Sequence, residues 1–511
     1  MKRASRSWGA AVGRHAGLLS IALCSVAHGQ GAQGAGAQSV LEHHGNLLRS
    51  GLYVAPALTW EAAAHLHADP DFHADLAGPV YAQPLYWAGA PGADHGWLLV
   101  ATEQNLVYAL DSRTGAVTWR AALGPAVPRS SLPCGNIDPV GVTGTPAIDE
   151  RSQAVYLDAM IRDKPSGEPR HRIFALSLRD GSVLAGWPVD VEASLKSQGH
   201  KFVSSIQNQR SALTIAGDTV YVPYGGHFGD CGDYHGWIVG VSLQAPHAVR
   251  SWSTRARGGG VWAPGGISSD GRALYFATGN TISAERWSDG EAVVRLPPDL
   301  SFSAQPRDYF APPDWPRLDA TDADLGGTNP LLVSLSGGVI PELLLALGKD
   351  GNAYLLDPHN LGGVGGGLLT RKVSSAAIRT SPAYLSTGNE ALVAFQGKGV
   401  DCPRGAEGDL VGLRIVSGSP PQLNVLWCAV ANGRGSPVLT TTDGRANPIV
   451  WIVGAEDSNR LRGFRGDTGA VVFAGGGSAD AMSEVRRFQT PIVVGRRLYI
   501  AADQRLYAFA F

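Results

Sequence analysis

The sequence predicts an all-β fold in which short strands gather into an eight-bladed β-propeller closed by an N-terminal strand. Three observations predict it. Glycine and proline number 66 and 32 among 511 residues, a density that opposes helix interiors and suits short strands joined by turns. A short anchor, usually carrying proline, recurs eight times at steps of 52 to 66 residues, which is the mark of a repeat architecture. Each anchor opens a run of short apolar strands divided by polar turns, the pattern of propeller blades.

The chain begins with a segment that reads as a secretory signal over residues 1–29. Lys2, Arg3, Arg6 and Arg14 precede or border an apolar run from Ala16 to Ala27, and Ala27 and Gly29 stand at −3 and −1 of a cut before Gln30. The run is too short to span a bilayer, and no later window holds 18 uninterrupted apolar residues. The expectation is an exported protein, periplasmic or secreted, without a transmembrane segment. Residues 30–45, rich in Gln, Gly and Ala, read as a flexible tether, and 46–511 as the propeller. The formal net charge is −2 and no basic stripe stands out, so nucleic acid is an improbable partner.

The anchors are Ala82-Gln-Pro-Leu, Gly144-Thr-Pro-Ala, Gln209-Arg-Ser-Ala, Ala263-Pro-Gly-Gly, Thr328-Asn-Pro-Leu, Thr380-Ser-Pro-Ala, Gly435-Ser-Pro-Val and Gln489-Thr-Pro-Ile. The third has Ser211 where the others have proline. Seven blades follow if the weak third or fourth copy is misread. The clearest full copy runs from Ala101 to Arg120, with the strand Val107-Tyr-Ala-Leu-Asp, an Asp-x-x-Thr-Gly turn and Trp119. One such sheet cannot bury both faces alone, whereas radial stacking covers each face with its neighbour. The last repeat stops at Phe511 after three strands, so its fourth must come from elsewhere; the stretch Leu47–Leu58 is the expected source, and closure removes the open sheet edge. Residues 281–326 read as a long proline-rich connection inside the fourth blade.

Beyond the signal there are four cysteines, Cys134, Cys231, Cys402 and Cys428. An even number in an exported chain points to two disulfides. Of three pairings, Cys402–Cys428 within one repeat and Cys134–Cys231 between repeats are favoured. No Cys-x-x-Cys-His occurs, so covalent haem is excluded.

Ala101–Arg120 and Ala346-Leu-Gly-Lys-Asp-Gly-Asn-Ala-Tyr-Leu-Leu-Asp357 resemble the tryptophan-docking repeats of the pyrroloquinoline-quinone (PQQ)-like propellers. That group includes quinoprotein alcohol dehydrogenases and uncharacterised exported proteins. Val80-Tyr-Ala-Gln-Pro-Leu-Tyr, Gly141-Val-Thr-Gly-Thr-Pro and Tyr234-His-Gly-Trp are most similar to the latter. Gly258-Gly-Gly-Val-Trp-Ala-Pro, followed by Leu274-Tyr-Phe-Ala-Thr-Gly-Asn280, is similar to the dehydrogenases.

By that resemblance Trp262 would form the floor under a quinone ring and Asn280 would bind calcium or a lanthanide. Asp322 or Asp324 would be the catalytic base, with Asp322 also near the metal, and Lys349 would lie against the quinone oxygens. The residue types suit the chemistry: an aromatic floor for a planar ring, hard oxygens for a hard cation, a carboxylate to take the alcohol proton, and an ammonium to stabilise charge on the reduced ring.

The chain also departs from the dehydrogenases. Their glutamate ligand lies in Gly-x-Glu-x-Gly-x-Arg-Gly, whereas Gly229-Asp-Cys-Gly-Asp-Tyr-His-Gly236 places Cys231 near the Glu and His235 at the Arg. Their adjacent-cysteine disulfide is also missing.

Plainer readings stand beside each of these. Trp262 could be inter-blade packing, and Asn280, Lys349 and the two aspartates could be turn residues. His65, His67 and His73 read as a solvated polar segment, and Gly362–Gly367 as a flexible loop without a phosphate-cradling Lys. The resulting expectation is a quinoprotein-dehydrogenase-like propeller acting on an alcohol or sugar with PQQ and calcium or a lanthanide. The alternative is a non-catalytic scaffold that binds protein or glycan through one face.

Overall fold

The computed structural model describes residues 38–89, 95–163 and 166–511. The expected signal and the first part of the tether lie outside the described residues. Eight separate sheets are present, one per anchor. Blade 1 consists of Leu85–Trp87, Trp97–Ala101, Leu106–Asp111 and Val117–Ala122, antiparallel throughout. Blades 2 to 8 start with the inner strands Ala147–Asp149, Thr214–Ala216, Ser268–Ser269, Leu331–Ser334, Ala383–Thr387, Val438–Thr441 and Ile492–Val494. Each begins at the last residue of its anchor or within a few residues of it. Proline suits that place because it needs no ladder donor at a strand entry.

The core is distributed between the blades. Leu85, Trp87, Leu99 and Val107 of blade 1 pack with Leu157 and Phe174 of blade 2. Similar clusters fill the interface of blades 2 and 3 and that of blades 5 and 6. The tryptophans of the repeat bridge these seams. Trp119 Nε1 donates to the Leu178 carbonyl of blade 2 at 2.9 Å, and Trp427 Nε1 donates to the Gly466 carbonyl of blade 7 at 2.7 Å. Each indole lies on the glycine of the neighbour's turn. A Cβ on Gly181 would sit 2.5 Å from the Trp119 ring and one on Gly469 2.8 Å from Trp427, and both glycines have positive φ. The Thr/Asp-Gly turn of the repeat is thus a docking seat.

The ring closes, but with a different segment from the one expected. The last blade, Ile492–Val494, Arg497–Ala502 and Arg505–Ala510, takes its fourth layer from His67–Ala68 and Ala74–Asp75, both antiparallel to Arg505–Ala510. The histidine-bearing segment read as solvated polar chain therefore supplies the closing strand. Leu52–Val54 instead pairs in parallel with Val438–Thr441, the inner strand of blade 7.

The chain before it crosses the axis along the inner strands. Val40 bridges Tyr86, the Ile148 amide donates to the Leu41 carbonyl, Ser269 to Leu47, Tyr384 to Ser50 and Leu439 to Gly51. Arg49 is fully buried and donates to the carbonyls of Leu213 and Ile267 and to Glu42. The expected tether therefore ends earlier than residue 45: Val40, His43 and His44 are buried. These residues find backbone partners on the channel wall, which satisfies polar groups that a free tether would leave to water.

Two further expectations change. Residues 281–326 hold the third and fourth strands of blade 4, Val293–Leu296 and Tyr309–Ala311, and the helix Trp315–Thr321. Within Gly362–Gly367, Gly363–Val364 adds a parallel strand beside Tyr309–Ala311. Both disulfides are formed, Cys134–Cys231 and Cys402–Cys428, with Cα separations of 6.1 and 5.7 Å.

Candidate functional site

A cavity of about 490 Å³ lies where the blades converge. Trp262, Asn280, Asp322, Asp324 and Lys349 all line it. The residues singled out from sequence, spread over nearly 90 positions, thus meet in one place.

Their positions follow from the glycine-rich entry to blade 4. The Val261 amide donates to the Tyr224 carbonyl at 3.1 Å, Gly259 to Asn280 at 2.7 Å, and Gly279 to Gly260 at 2.9 Å. Gly258–Val261 is clamped between the end of a blade 3 strand and the turn after Leu274–Ala277. The approach is close: a Cβ on Gly225 would meet Gly260 Cα at 3.1 Å. Trp262 leaves this clamp half-buried and faces the cavity. Lys349 stands in the hairpin between Glu342–Leu347 and Asn352–Leu356, and its amide donates to the Asp324 carbonyl at 2.8 Å.

The side chains form one network. Trp262 Nε1 donates to Asp324 Oδ2 at 2.9 Å. Lys349 Nζ lies 2.7 Å from Asp322 Oδ1 and 3.0 Å from Asp324 Oδ2, and 5.0 Å from the centroid of the Trp262 ring. The two aspartates differ in setting. The side chain of Asp322 is 69% exposed, that of Asp324 only 3%. Burial pushes the Asp324 carboxyl above its ordinary value, against the opposing pull of Lys349.

Behind Asp324 stands Glu291, fully buried, whose Oε2 accepts from the Leu325 amide at 2.7 Å. Burial, with the like charge of Asp324, pushes its carboxyl well above the usual range. Glu291 was not foreseen, and nothing in Gly290-Glu-Ala marks it.

The opposite wall is cationic and aromatic. Arg210 lies 5.9 Å from the Trp262 centroid, with its Nε buried and lacking a hydrogen-bond partner. It too was missed, although a signal was present: it stands in the third anchor, the copy that breaks the proline pattern. Tyr81, Arg379 and Arg487 line the same cavity, and burial raises the Tyr81 hydroxyl to about 12. His43 and Arg210 border the small space below, where the N-terminal segment crosses the axis.

The loop Gly229–Gly236 forms part of the rim. Asp230 lines the cavity, accepts from Tyr234 Oη at 2.6 Å, and is held through its carbonyl by Arg257 at 3.0 Å. Asp233 pairs with Lys201 at 3.1 Å and does not line the cavity. Cys231, near the place of the glutamate ligand, is tied to Cys134, and Asn136 and Ile137 beside Cys134 also line the cavity.

These residues do not fit a calcium or lanthanide ion. Such a cation takes six or more oxygen ligands. Between Asp322 and Asp324 the positive charge is already supplied by the Lys349 ammonium. Among the described residues no group of three or more His, Cys, Asp or Glu is placed to hold an ion. The expected metal role of Asn280 and Asp322 therefore lacks a coordination shell.

A planar polyanion fits better. The cavity offers a half-buried indole face, the ammonium of Lys349 and the guanidinium of Arg210, whose buried Nε has no hydrogen-bond partner.

Comparison with known proteins supports the fold. A PQQ-repeat family model described as outer membrane protein assembly factor BamB matches residues 57–133. No curated protein matches the chain. Among solved structures, a quinohemoprotein alcohol dehydrogenase from Comamonas testosteroni aligns with a TM-score of 0.62 at 15% identity, over 92% of this chain and 80% of that one. The quinohemoprotein alcohol dehydrogenase ADHIIG from Pseudomonas putida HK5 aligns at 0.64 and 12%, over 92% and 80%. A europium-containing methanol dehydrogenase aligns at 0.62 and 12%, over 93% and 98%. The resemblance read from the repeats is thereby carried by the whole fold: the chain is an eight-bladed propeller like those of these dehydrogenases.

Proposed function

We propose that this is an exported quinoprotein-type oxidoreductase that holds PQQ in the axial cavity and oxidises an alcohol or sugar. The observation that carries the reading is the Trp262–Asp324–Lys349 network, which presents an aromatic face and an ammonium to one enclosed space. Trp262 would hold the planar group against its indole, whose tilt is fixed by the hydrogen bond to Asp324. Lys349 and Arg210, both near the Trp262 ring, would neutralise negative charge on it. Bound PQQ supplies a two-electron acceptor.

Of the two aspartates, Asp322 is the base that takes the hydroxyl proton, because its carboxyl is exposed to the cavity and held 2.7 Å from Lys349. Asp324 is a positioning residue: buried, and held between the indole and the ammonium. Export agrees with two disulfides, and among the described residues no helix is long and apolar enough to cross a membrane.

The test is to titrate the mature protein with PQQ, with and without calcium, and to follow dye-linked alcohol oxidation. Trp262→Ala is expected to weaken PQQ binding at least tenfold, with or without calcium. Absence of binding by the wild type sinks the reading.

One observation favours a second reading. Phe228, at the cavity rim, is 65% exposed, as an anchor for a protein or glycan partner would be. On that reading the propeller is a non-catalytic scaffold that docks its partner over the mouth of the cavity.

A further inference from the structure

We infer that the cleft beside the axial cavity is a second subsite for a neutral saccharide, so that the substrate is a sugar of at least two units with its reacting end in the axial cavity. The inference rests on the quinoprotein reading for the reaction and on separate residues for the binding. The cleft, of about 320 Å³, lies between the turn Thr281–Ala284 of blade 4 and the helix Trp315–Thr321. Asn280 lines both spaces and is the wall they share. A ligand too long for the axial cavity would pass Asn280 and enter the cleft.

The lining selects the chemistry. Trp315 is half-buried on the cleft wall and offers a flat apolar face, which suits the C–H face of a pyranose. Asp319 and Asn280 supply a carboxylate and an amide for paired hydroxyls, with Ser283 exposed beside them. Among the described residues, no lysine or arginine lines the cleft. A phosphate or carboxylate ligand would therefore meet Asp319 without a counter-charge.

The site is also rigid before any ligand arrives. The Thr281 amide and hydroxyl donate to the two oxygens of Asp319 at 2.7 and 2.5 Å, and the Ile282 amide donates to the Arg257 carbonyl at 3.0 Å. Each carboxylate oxygen keeps a lone-pair direction for a further donor. Preorganisation of this kind lowers the entropic cost of binding.

The experiment uses the mature full chain, without PQQ and then with it. Maltose, cellobiose and lactose are the probes, with glucose and ethanol as short controls, read by calorimetry and tryptophan fluorescence. At least one disaccharide is expected to bind more tightly than glucose. Trp315→Ala is expected to weaken it about tenfold, the scale of one aromatic stacking contact. Trp315→Phe should restore most of that loss, and neither change should alter PQQ affinity or the melting temperature.

Disaccharide binding that is absent, no tighter than glucose, or indifferent to Trp315→Ala overturns the subsite. If PQQ binds in those cases, the quinoprotein reading survives the failure. If PQQ does not bind while a disaccharide binds through Trp315, the cleft stands and the oxidoreductase is lost.

Discussion

A lysine in a Lys-Asp-Gly hairpin ordinarily points to water, yet the side chain of Lys349 is 9% exposed and meets two carboxylates. What buries it is the turn before Leu325–Gly327, which brings Asp324 under the hairpin. Glu103 shows the same effect of burial, which the Gly141 amide and the more distant Arg210 and Arg486 offset only in part. It is fully buried, its Oε2 accepts from the Gly141 amide at 2.6 Å, and Oε1 has no partner. Burial raises its carboxyl from 4.5 to about 7. An acid raised on folding favours the native state in its protonated form. The contribution is complete below about pH 4.5 and is lost as pH rises to about 7.

Glu103→Gln keeps the acceptor for Gly141 and removes the charge. The variant should match the wild type near pH 4 and exceed it by about 3 kcal/mol at pH 8, taking 1.36 kcal/mol per pKa unit. Urea midpoints at pH 4, 6 and 8 check this, and a gap that does not change with pH contradicts it. At this scale Trp262, Asn280, Asp322, Asp324 and Lys349 were legible because each sits in a short motif. Glu291 was not, because its character comes from burial beside Asp324 across the fold, and Arg210 was marked only by the broken proline pattern of the third anchor.

At the scale of elements, proline anchors and Thr-Gly turns were readable because their geometry is local. A strand entry tolerates proline, and a docking seat under tryptophan excludes a Cβ. Pairing between distant segments was less so. Leu52-Tyr-Val54 reads as a better strand than His67-Ala68, but the inner strand of blade 7 claims it, and the more polar segment closes blade 8 at its solvent side. The Cys134–Cys231 link is an element of the same kind, tying the connection between blades 1 and 2 to a loop of blade 3 across 97 residues.

Both linked segments carry residues that line the axial cavity, Asn136 and Ile137 on one and Asp230 on the other. Replacing both cysteines by serine releases a long loop in the unfolded chain and is expected to cost about 2–4 kcal/mol. It should also weaken PQQ binding by loosening the rim. Replacing Cys402 and Cys428, which close a 26-residue span within blade 6, should leave PQQ affinity unchanged. Thermal melts and PQQ titrations of the two double variants separate a general loss of stability from a loss specific to the rim.

At the scale of the molecule, the propeller depends on two contributions from the chain before its first anchor, and they do different things. Residues 40–55 bond to inner strands on opposite sides of the axis, among them Ile148 in blade 2 and Tyr384 in blade 6, and tie the ring from within. Residues 67–75 complete the sheet of blade 8 and cover an edge that would otherwise expose its backbone groups. A chain beginning at residue 57 lacks the first but retains the second. It should remain a closed monomer with a lower melting temperature and a cavity open at both ends. A chain beginning at residue 78 lacks both. Its last blade would end at Arg505–Ala510 with an unpaired edge, and it should self-associate or aggregate.

Size-exclusion chromatography and thermal melts of chains beginning at 38, 57 and 78 give the comparison. Equal stability of the first two would mean that the axial segment is only lodged in the channel. A soluble, cooperative monomer beginning at 78 would mean that seven complete blades and a three-stranded eighth hold the ring without the closing strand. The loss should instead come in two steps, because tying the inner strands and covering the outer edge are separate physical tasks carried by separate segments.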